Sequence, residues 1–576
     1  MIESICPKCN VPIQGEVCVK ESCKTKTIIS TTIYWCSSCN VPIFERVCPC
    51  CGSEGMYVAT DVRPVFPEEK ILLAIILDKK DAHCYDGSSV WFGSGAYIVN
   101  GQKIKISIGK INQWSLDKIQ QIKKLYDREI ETVDRTYFDL SIGHFISANK
   151  GRYNFINEES IHYIQGYRKK YKIEDMMVSF SGGKDSTVIS HLVTKALGTN
   201  KILHVFGDTT LEFRSTMEYK KRFNKNPESF GIRIITAKNR EKKFEELCKV
   251  IGIPSRVMRW CCTVFKTGAI QKTISSAFKD KTNILTFYGI RRNESNSRSK
   301  YERESESPKI SKQTVISPII DWIDFDIWLY ILTTGIDFND AYRLGYSRVG
   351  CWCCPNNGGW SEFLSKVHMF EKYEHWREVL LEFAKQIGKP DPEEYIDGGN
   401  WKARQGGNGL PMAQKSMVAF EPCVTEENAF NYDLQKPITA ELYELFRPFG
   451  YINRELGNKR LGEVYVMDKK GNVVLILQGK LGSTNLKITI KKTNIAKARS
   501  LAVAEGKIKC QLTKYQMCIG CKACDSVCKY DAIAIREEAG EVIYRINDEK
   551  CTRCAECISH FDAGCYMRKV LTIKRG

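Results

Sequence analysis

The middle of the chain alternates short apolar runs with segments of helical spacing. Met177 and Val178 lead into "SFSGGKDS" (179–186), after which "STVISHLVTKALG" keeps apolar residues three and four apart and closes on a glycine. "KILHVFGDTT" then reads as a buried strand ending at Asp208, and "NILTFYGIRRNES" as another strand with charges at its end. Strand, small-residue loop, helix and strand predict the start of a doubly wound parallel sheet, an α/β fold. Ligands in such sheets lie beyond the carboxyl ends of the strands, so the loop and Asp208 are expected to flank one crevice.

Outside this core, "KILLAIIL" and "QKIKISIG" read as strands before a charged helical run over 116–134, and Ile156, Ile161 and Ile164 mark a helix leading to the loop. The Gly- and Pro-rich stretch 388–411 reads as a linker or long loop. "EVYVMDKKGNVVLILQG" predicts a hairpin turning at 469–472, followed by "LKITI" and a helix. The division expected is 1–60, a small α+β domain over 61–150, the catalytic domain over 151–385, a helical or linker region over 386–440, a β-rich domain over 441–509 and a last domain over 510–576. The apolar run 71–77 is too short to span a bilayer, and the first residues resemble no secretion signal, so a cytoplasmic location without membrane insertion is expected.

Composition adds chemistry to this outline. The 576 residues include 26 cysteines, most of them in pairs and triplets, and in a reducing compartment such clusters bind metal more often than they form disulfides. "CPKCNVPIQGEVC" (6–18) returns as "CSSCNVPIFERVC" (36–48). Cys6, Cys9, Cys18 and Cys23 suit one tetrahedral zinc, and Cys36, Cys39, Cys48 and Cys51 a second, with Cys50 as the alternative last ligand. His83, Cys84 and His144 stand alone and read as packing or surface residues. The formal charge of +19 suits a polyanionic partner such as tRNA or DNA, although a solvated basic surface explains it equally.

"SFSGGKDS" is not a Walker A loop, which would read GxxxxGK[ST]. It resembles the PP-loop of the N-type ATP pyrophosphatases, a superfamily that includes the phosphoadenosine phosphosulfate (PAPS) reductase family. The physics fits phosphate binding: Gly182 and Gly183 allow close backbone approach, the amides at the helix start face an anion, and Ser179, Ser181 and Ser186 bring hydroxyls. Lys184 would neutralise phosphate and Asp185 hold magnesium. "FGDTTLEFRST" resembles the family's second-strand motif at Asp208, Thr209 and Thr216. "GIRRNESNSR" resembles its segment that contacts sulfate or phosphates, which implies Arg291, Arg292, Glu294, Ser295 and Arg298, with Arg291 and Arg298 joining Lys184 and Asp185 as catalytic candidates. "RWCC" with "GCWCCP" resembles the halves that hold a [4Fe-4S] cluster in the family's iron-sulfur members, which implies Cys261, Cys262, Cys351 and Cys354, with Cys353 as the spare. Spacing alone leaves zinc, or no metal, open for this quartet.

"CIGCKACDSVC" (518–528) and "CTRCAECISHFDAGC" (551–565) resemble a two-cluster bacterial ferredoxin, in which the fourth cysteine of each run serves the other cluster. The resemblance implies Cys518, Cys521, Cys524 and Cys565 on one cluster and Cys551, Cys554, Cys557 and Cys528 on the other. Lys529 stands where proline is usual, and Cys510 lies outside the pattern.

Three clusters, two zincs, magnesium and an adenine nucleotide are therefore expected, together with a donor of electrons to the ferredoxin. The intact loop favours ATP-dependent adenylation followed by sulfur transfer, with a nucleic acid as one acceptor. The alternative is ferredoxin-linked reduction of PAPS or adenosine phosphosulfate (APS) to sulfite. A thiol-dependent reductase would carry a cysteine in an "ECGLH"-type tail, whereas this sequence closes on "YMRKVLTIKRG". A nucleic-acid-binding redox sensor is the third reading, and it leaves the phosphate loop without a role.

Overall fold

Five parallel strands and an antiparallel edge strand make the sheet that carries the phosphate loop. The structure is a computed structural model describing residues 3–5 and 28–571, apart from 296–297, 307–312, 408, 416, 539–540 and 560–564. The strand order is Ile234–Lys238, Leu203–Asp208, Met176–Phe180, Ile284–Phe287, Gln313–Ile316 and Glu304–Glu306, the last pairing antiparallel. Successive strands step outward on one side of Met176–Phe180 and then on the other, so the order reverses there, and that reversal opens the crevice expected of a doubly wound sheet. Helix Lys184–Leu197 buries Val188, Ile189, Leu192 and Val193 and closes on left-handed Gly198.

One expected strand is a helix. All of "KILLAIIL" but its last residue, the C-cap Leu77, lies within helix Pro67–Ile76, which starts on proline with Glu68 and Glu69 in its first turn. Its residues are buried on nearly every side, which erases the periodicity that separates helix from strand. Of "QKIKISIG", only Gln102–Ile104 is strand.

The N-terminal parts are packed onto the catalytic domain. A three-stranded sheet of Val41–Ile43, Ile33–Cys36 and Met56–Ala59 precedes a four-stranded one beginning at Arg63–Pro64. Trp35, Phe66 and Phe138 share one apolar core with Trp328 and Phe338 of the catalytic domain. The first cysteine repeat, Cys6 to Cys23, lies outside the described residues.

The stretch 388–411 is likewise packed in place. It contains helix Pro392–Asp397, Trp401 is buried, and Arg404 donates to the Ile253 carbonyl at 2.5 Å. A six-stranded antiparallel sheet runs from Ala419–Pro422 to Asn485–Ile490, so two of its strands precede residue 441. Its hairpin turns at 469–472, where the Asn472 carbonyl accepts from the Asp468 amide at 2.8 Å. Helix Leu501–Met517, capped by the Ser500 side chain, leads into the first ferredoxin cysteine. No helix among the described residues is long and apolar enough to cross a membrane.

Candidate active site

The phosphate loop turns at Gly182, whose φ of +72° lies in the left-handed region that favours glycine. A Cβ there would meet Thr216 at 3.0 Å, and one on Gly289, at the end of the neighbouring strand, would strike the Asp185 backbone at 2.7 Å. These two glycines let both strand ends close on the helix start. Inside the loop the Ser181 amide donates to Ser186 Oγ at 3.2 Å, and that hydroxyl donates to the Gly183 carbonyl at 2.8 Å. The Lys184 amide donates to the Tyr342 hydroxyl at 3.0 Å, and Asn339 holds the Gly182 carbonyl at 3.1 Å. Ser179 hydrogen-bonds Tyr288.

Beside the loop lies a charge network. The Lys184 ammonium is 3.4 Å from Asp185, 3.3 Å from Asp324 and 3.1 Å from the Ser347 carbonyl. Arg291 Nε lies 2.5 Å from Asp185 and its Nη2 2.7 Å from Asp324. Burial alone would raise the Asp185 carboxyl, but Arg291 and then Lys184 outweigh it and hold it at about 2. The same carboxylates hold the Lys184 ammonium above its ordinary value against the opposing effect of burial. Asp324 begins helix Asp324–Thr334, and the Asp61 carboxylate accepts the amides of Asp324 and Phe325, both at 2.9 Å. Desolvation, followed by the charge of Asp324, pushes the Asp61 carboxyl up to about 7. Thus a residue preceding the catalytic domain in sequence completes its site.

The arginines of "GIRRNES" have separate placements. Arg291 is 3% exposed and wholly engaged inside the network. Arg292 pairs with Asp321, and Glu294 accepts the Arg291 amide at 3.1 Å and pairs with Arg298. Exposed Ser295 accepts the Arg298 amide at 3.3 Å. Burial and then the charge of exposed Arg348 push the Arg298 guanidinium down, so these two cations stand within electrostatic range of each other and of Asp185 and Arg291. Opposed cations at a crevice suit a polyanion. Sequence reasoning missed Asp61, Asp324, Tyr342 and Arg348, which belong to no motif and are assembled by packing.

Asp208 ties the crevice beside the loop to the cysteines. Its carboxylate accepts the Thr210 amide at 2.8 Å and pairs with Lys238 at 3.2 Å. Thr210 takes a φ of +67°, a strained setting for a β-branched residue. Thr209 then reaches Cys351 Sγ at 3.4 Å, and the Leu211 carbonyl accepts the Trp352 amide at 3.0 Å. Cys261 lies within electrostatic range of Cys262, Cys351 and Cys354, while Arg259 donates to Cys262 Sγ at 3.4 Å. Cys353 is buried in the apolar core around Trp260 instead. Cys262 opens a π-helical turn, Cys262–Thr267, a distortion that often accompanies function.

The sulfurs expected to bind metal are gathered to different degrees. Cys36, Cys39, Cys48 and Cys51 all lie within 4.8 Å of one another, close enough to hold a single ion, and it is Cys51, not its equally exposed neighbour Cys50, that completes the set. Among the described residues the 261/262/351/354 quartet is not gathered into such a set. In the C-terminal domain Cys521 has Cys518, Cys524 and Cys565 around it, whereas Cys528, Cys551, Cys554 and Cys557 line one cavity with Pro448 and Tyr530.

The two chemistries touch. Met517, Ile519, Cys521, Cys565 and Tyr566 share an apolar core with Trp260, Cys261, Val264 and Phe265. Tyr566 hydrogen-bonds Thr263 and lies near Cys261, Cys262 and Cys521. Lys522 pairs with Glu241 and Lys242 with Glu537 across the same boundary.

A doubly wound phosphate-loop domain joined to a dicluster module is the class of protein this site defines. Residues 175–357 match the phosphoadenosine phosphosulfate reductase domain, and 517–560 the 4Fe-4S dicluster domain. These two stretches are therefore similar to a PAPS reductase domain and to a ferredoxin-type dicluster domain. It is 32% identical over 332 residues to an uncharacterised protein of Methanocaldococcus jannaschii, covering 57% of this chain and 65% of that one, just under two thirds of the relative's length. An adenosine 5'-phosphosulfate reductase of Bacillus mycoides is 25% identical over 32% of this chain and 74% of its own. A solved phosphoadenylyl-sulfate reductase from Candida auris shares 16% identity at a TM-score of 0.26, over 34% of this chain and 95% of its own.

Proposed function

We propose that the protein reduces an adenylyl sulfonucleotide, APS or PAPS, to sulfite, using electrons carried by its own ferredoxin module. The observation that carries this reading is the shared core in which Tyr566 bridges from the dicluster domain to Thr263 beside Cys261 and Cys262. An adenylation that consumes only ATP has no use for that junction. When loaded, the clusters supply single electrons. Two electrons balance the reaction: the bridging S–O bond breaks, sulfur is reduced, and the oxygen leaves on the phosphate of AMP or its 3'-phosphorylated form.

The chain's own groups do the positioning. The amides of the loop and the Lys184 ammonium take the α-phosphate, and neutralising the departing phosphate lowers the barrier. Arg298 and Arg348 face the sulfonate or a 3'-phosphate, while Arg291 fixes Asp185 and Asp324. The Cys36 set would hold zinc to support the three-stranded sheet around it.

The intact Ser181 to Ser186 loop supports a second reading, ATP-dependent adenylation before sulfur transfer. Anaerobic protein, photoreduced viologen and APS or PAPS separate the two. Sulfite and nucleoside phosphate formed without ATP are the expected products. If AMP and pyrophosphate form from ATP with no reductant present, and sulfite does not appear, adenylation replaces reduction.

A further inference from the structure

Helix Leu501–Met517 is buried throughout its last turns, and one of the buried residues is a lysine. Lys514 is 1% exposed. Its ammonium donates to the Cys557 carbonyl at 3.0 Å and lies 5.7 Å from the centre of the Tyr544 ring. The opposing charges that reach it belong to Cys524, Cys557, Cys565 and Cys518, and among the described residues no carboxylate pairs with it. Burying an ammonium without an anion costs far more than one hydrogen bond returns. The compensating charge therefore comes from the cysteinyl sulfurs, three from one ferredoxin set and one from the other.

We propose that Lys514 is a fixed positive charge shared by both ferredoxin clusters, which raises the reduction potential of each. A thiolate-bound cluster is anionic and gains negative charge on reduction, so a nearby cation in a low-dielectric interior favours the reduced form. Cys524 and Cys557 also lie within electrostatic range of each other, so the ammonium stands beside neighbouring members of the two sets. One charge then lifts both potentials together, keeping transfer between the clusters close to level. The proposal rests on these cysteines holding clusters and is independent of which nucleotide is the substrate.

Lys514→Met removes the charge at similar length, Lys514→Gln removes it while keeping a donor for the Cys557 carbonyl, and Lys514→Arg retains it. Potentials of the full chain are read without substrate by protein-film voltammetry and EPR-monitored titration, with iron measured in parallel. Iron-replete Met and Gln variants are expected to show both potentials more negative, by about a tenfold change in the reduced-to-oxidised ratio, or about 59 mV for one electron. The Arg variant is expected near wild type. Unchanged potentials in either iron-replete neutral variant, or a shift confined to one cluster, would overturn the proposal. Iron lost from both neutral variants but kept in the Arg variant would also overturn it, because the charge would then be needed to hold the clusters rather than to set their potential.

Discussion

Arg291→Met separates a guanidinium that binds substrate from one that holds the site together. The side chain is 3% exposed and bridges Asp185 at 2.5 Å and Asp324 at 2.7 Å, so the substitution leaves two carboxylates facing Lys184 alone. Asp185 is held at about 2 against an ordinary value near 3.9, a difference equivalent to roughly 2–3 kcal/mol, with Arg291 the larger of its two cationic contributors. Allowing for the stranded Asp324 as well, the loss is about 3 kcal/mol, at the low end for breaking a buried pair. At roughly 2–4 °C per kcal/mol, the catalytic-domain transition should fall by about 6–12 °C in calorimetry at pH 7. The depressed carboxyl stabilises the fold above its unfolded value and ceases to do so as pH falls toward about 2, so the difference from wild type should close below about pH 4. A normal transition temperature combined with lost nucleotide binding would refute the reasoning and return Arg291 to the substrate.

Arg298→Ala should do the reverse, keeping the transition temperature while weakening sulfonucleotide binding by about 2 kcal/mol, and unchanged titration calorimetry would remove Arg298 from the anion site. Serine at both Cys261 and Cys354 should lower iron by about four per chain while the ferredoxin EPR signals persist; unchanged iron would leave that quartet empty. Reversing Glu241 and Glu537 to lysine should slow viologen-driven turnover, and reversing Lys522 and Lys242 to glutamate in the same chain should restore it; no recovery would mean that these pairs do not dock the module. The raised carboxyl of Asp61 contributes stability that is complete below about pH 3.9 and lost as pH rises through about 7, so the stability of wild type relative to Asp61→Asn should decline from pH 5 to pH 8, and a constant difference would deny the shift.

The phosphate loop, the second-strand aspartate and the ferredoxin spacings were legible in the sequence because each is local: a few neighbouring residues fix a turn or offer sulfurs at a set interval. Alternation and helical spacing also placed the parallel strands and the hairpin at 469–472, since those elements are buried on defined faces. "KILLAIIL" misled because helix Pro67–Ile76 is enclosed on almost every side, and a uniformly apolar run carries no period. Tertiary structure alone decided what closes around the loop. Asp61, Asp324, Tyr342 and Arg348 are ordinary residues in sequence, and they reach Lys184, Arg291 and Arg298 only after the small domain, the helix start and the "SRVGC" turn have packed. Packing likewise turned Arg291 inward and set the ferredoxin cysteines against Cys261, because the energy of a buried charge or a shared apolar core depends on neighbours brought together from far along the chain.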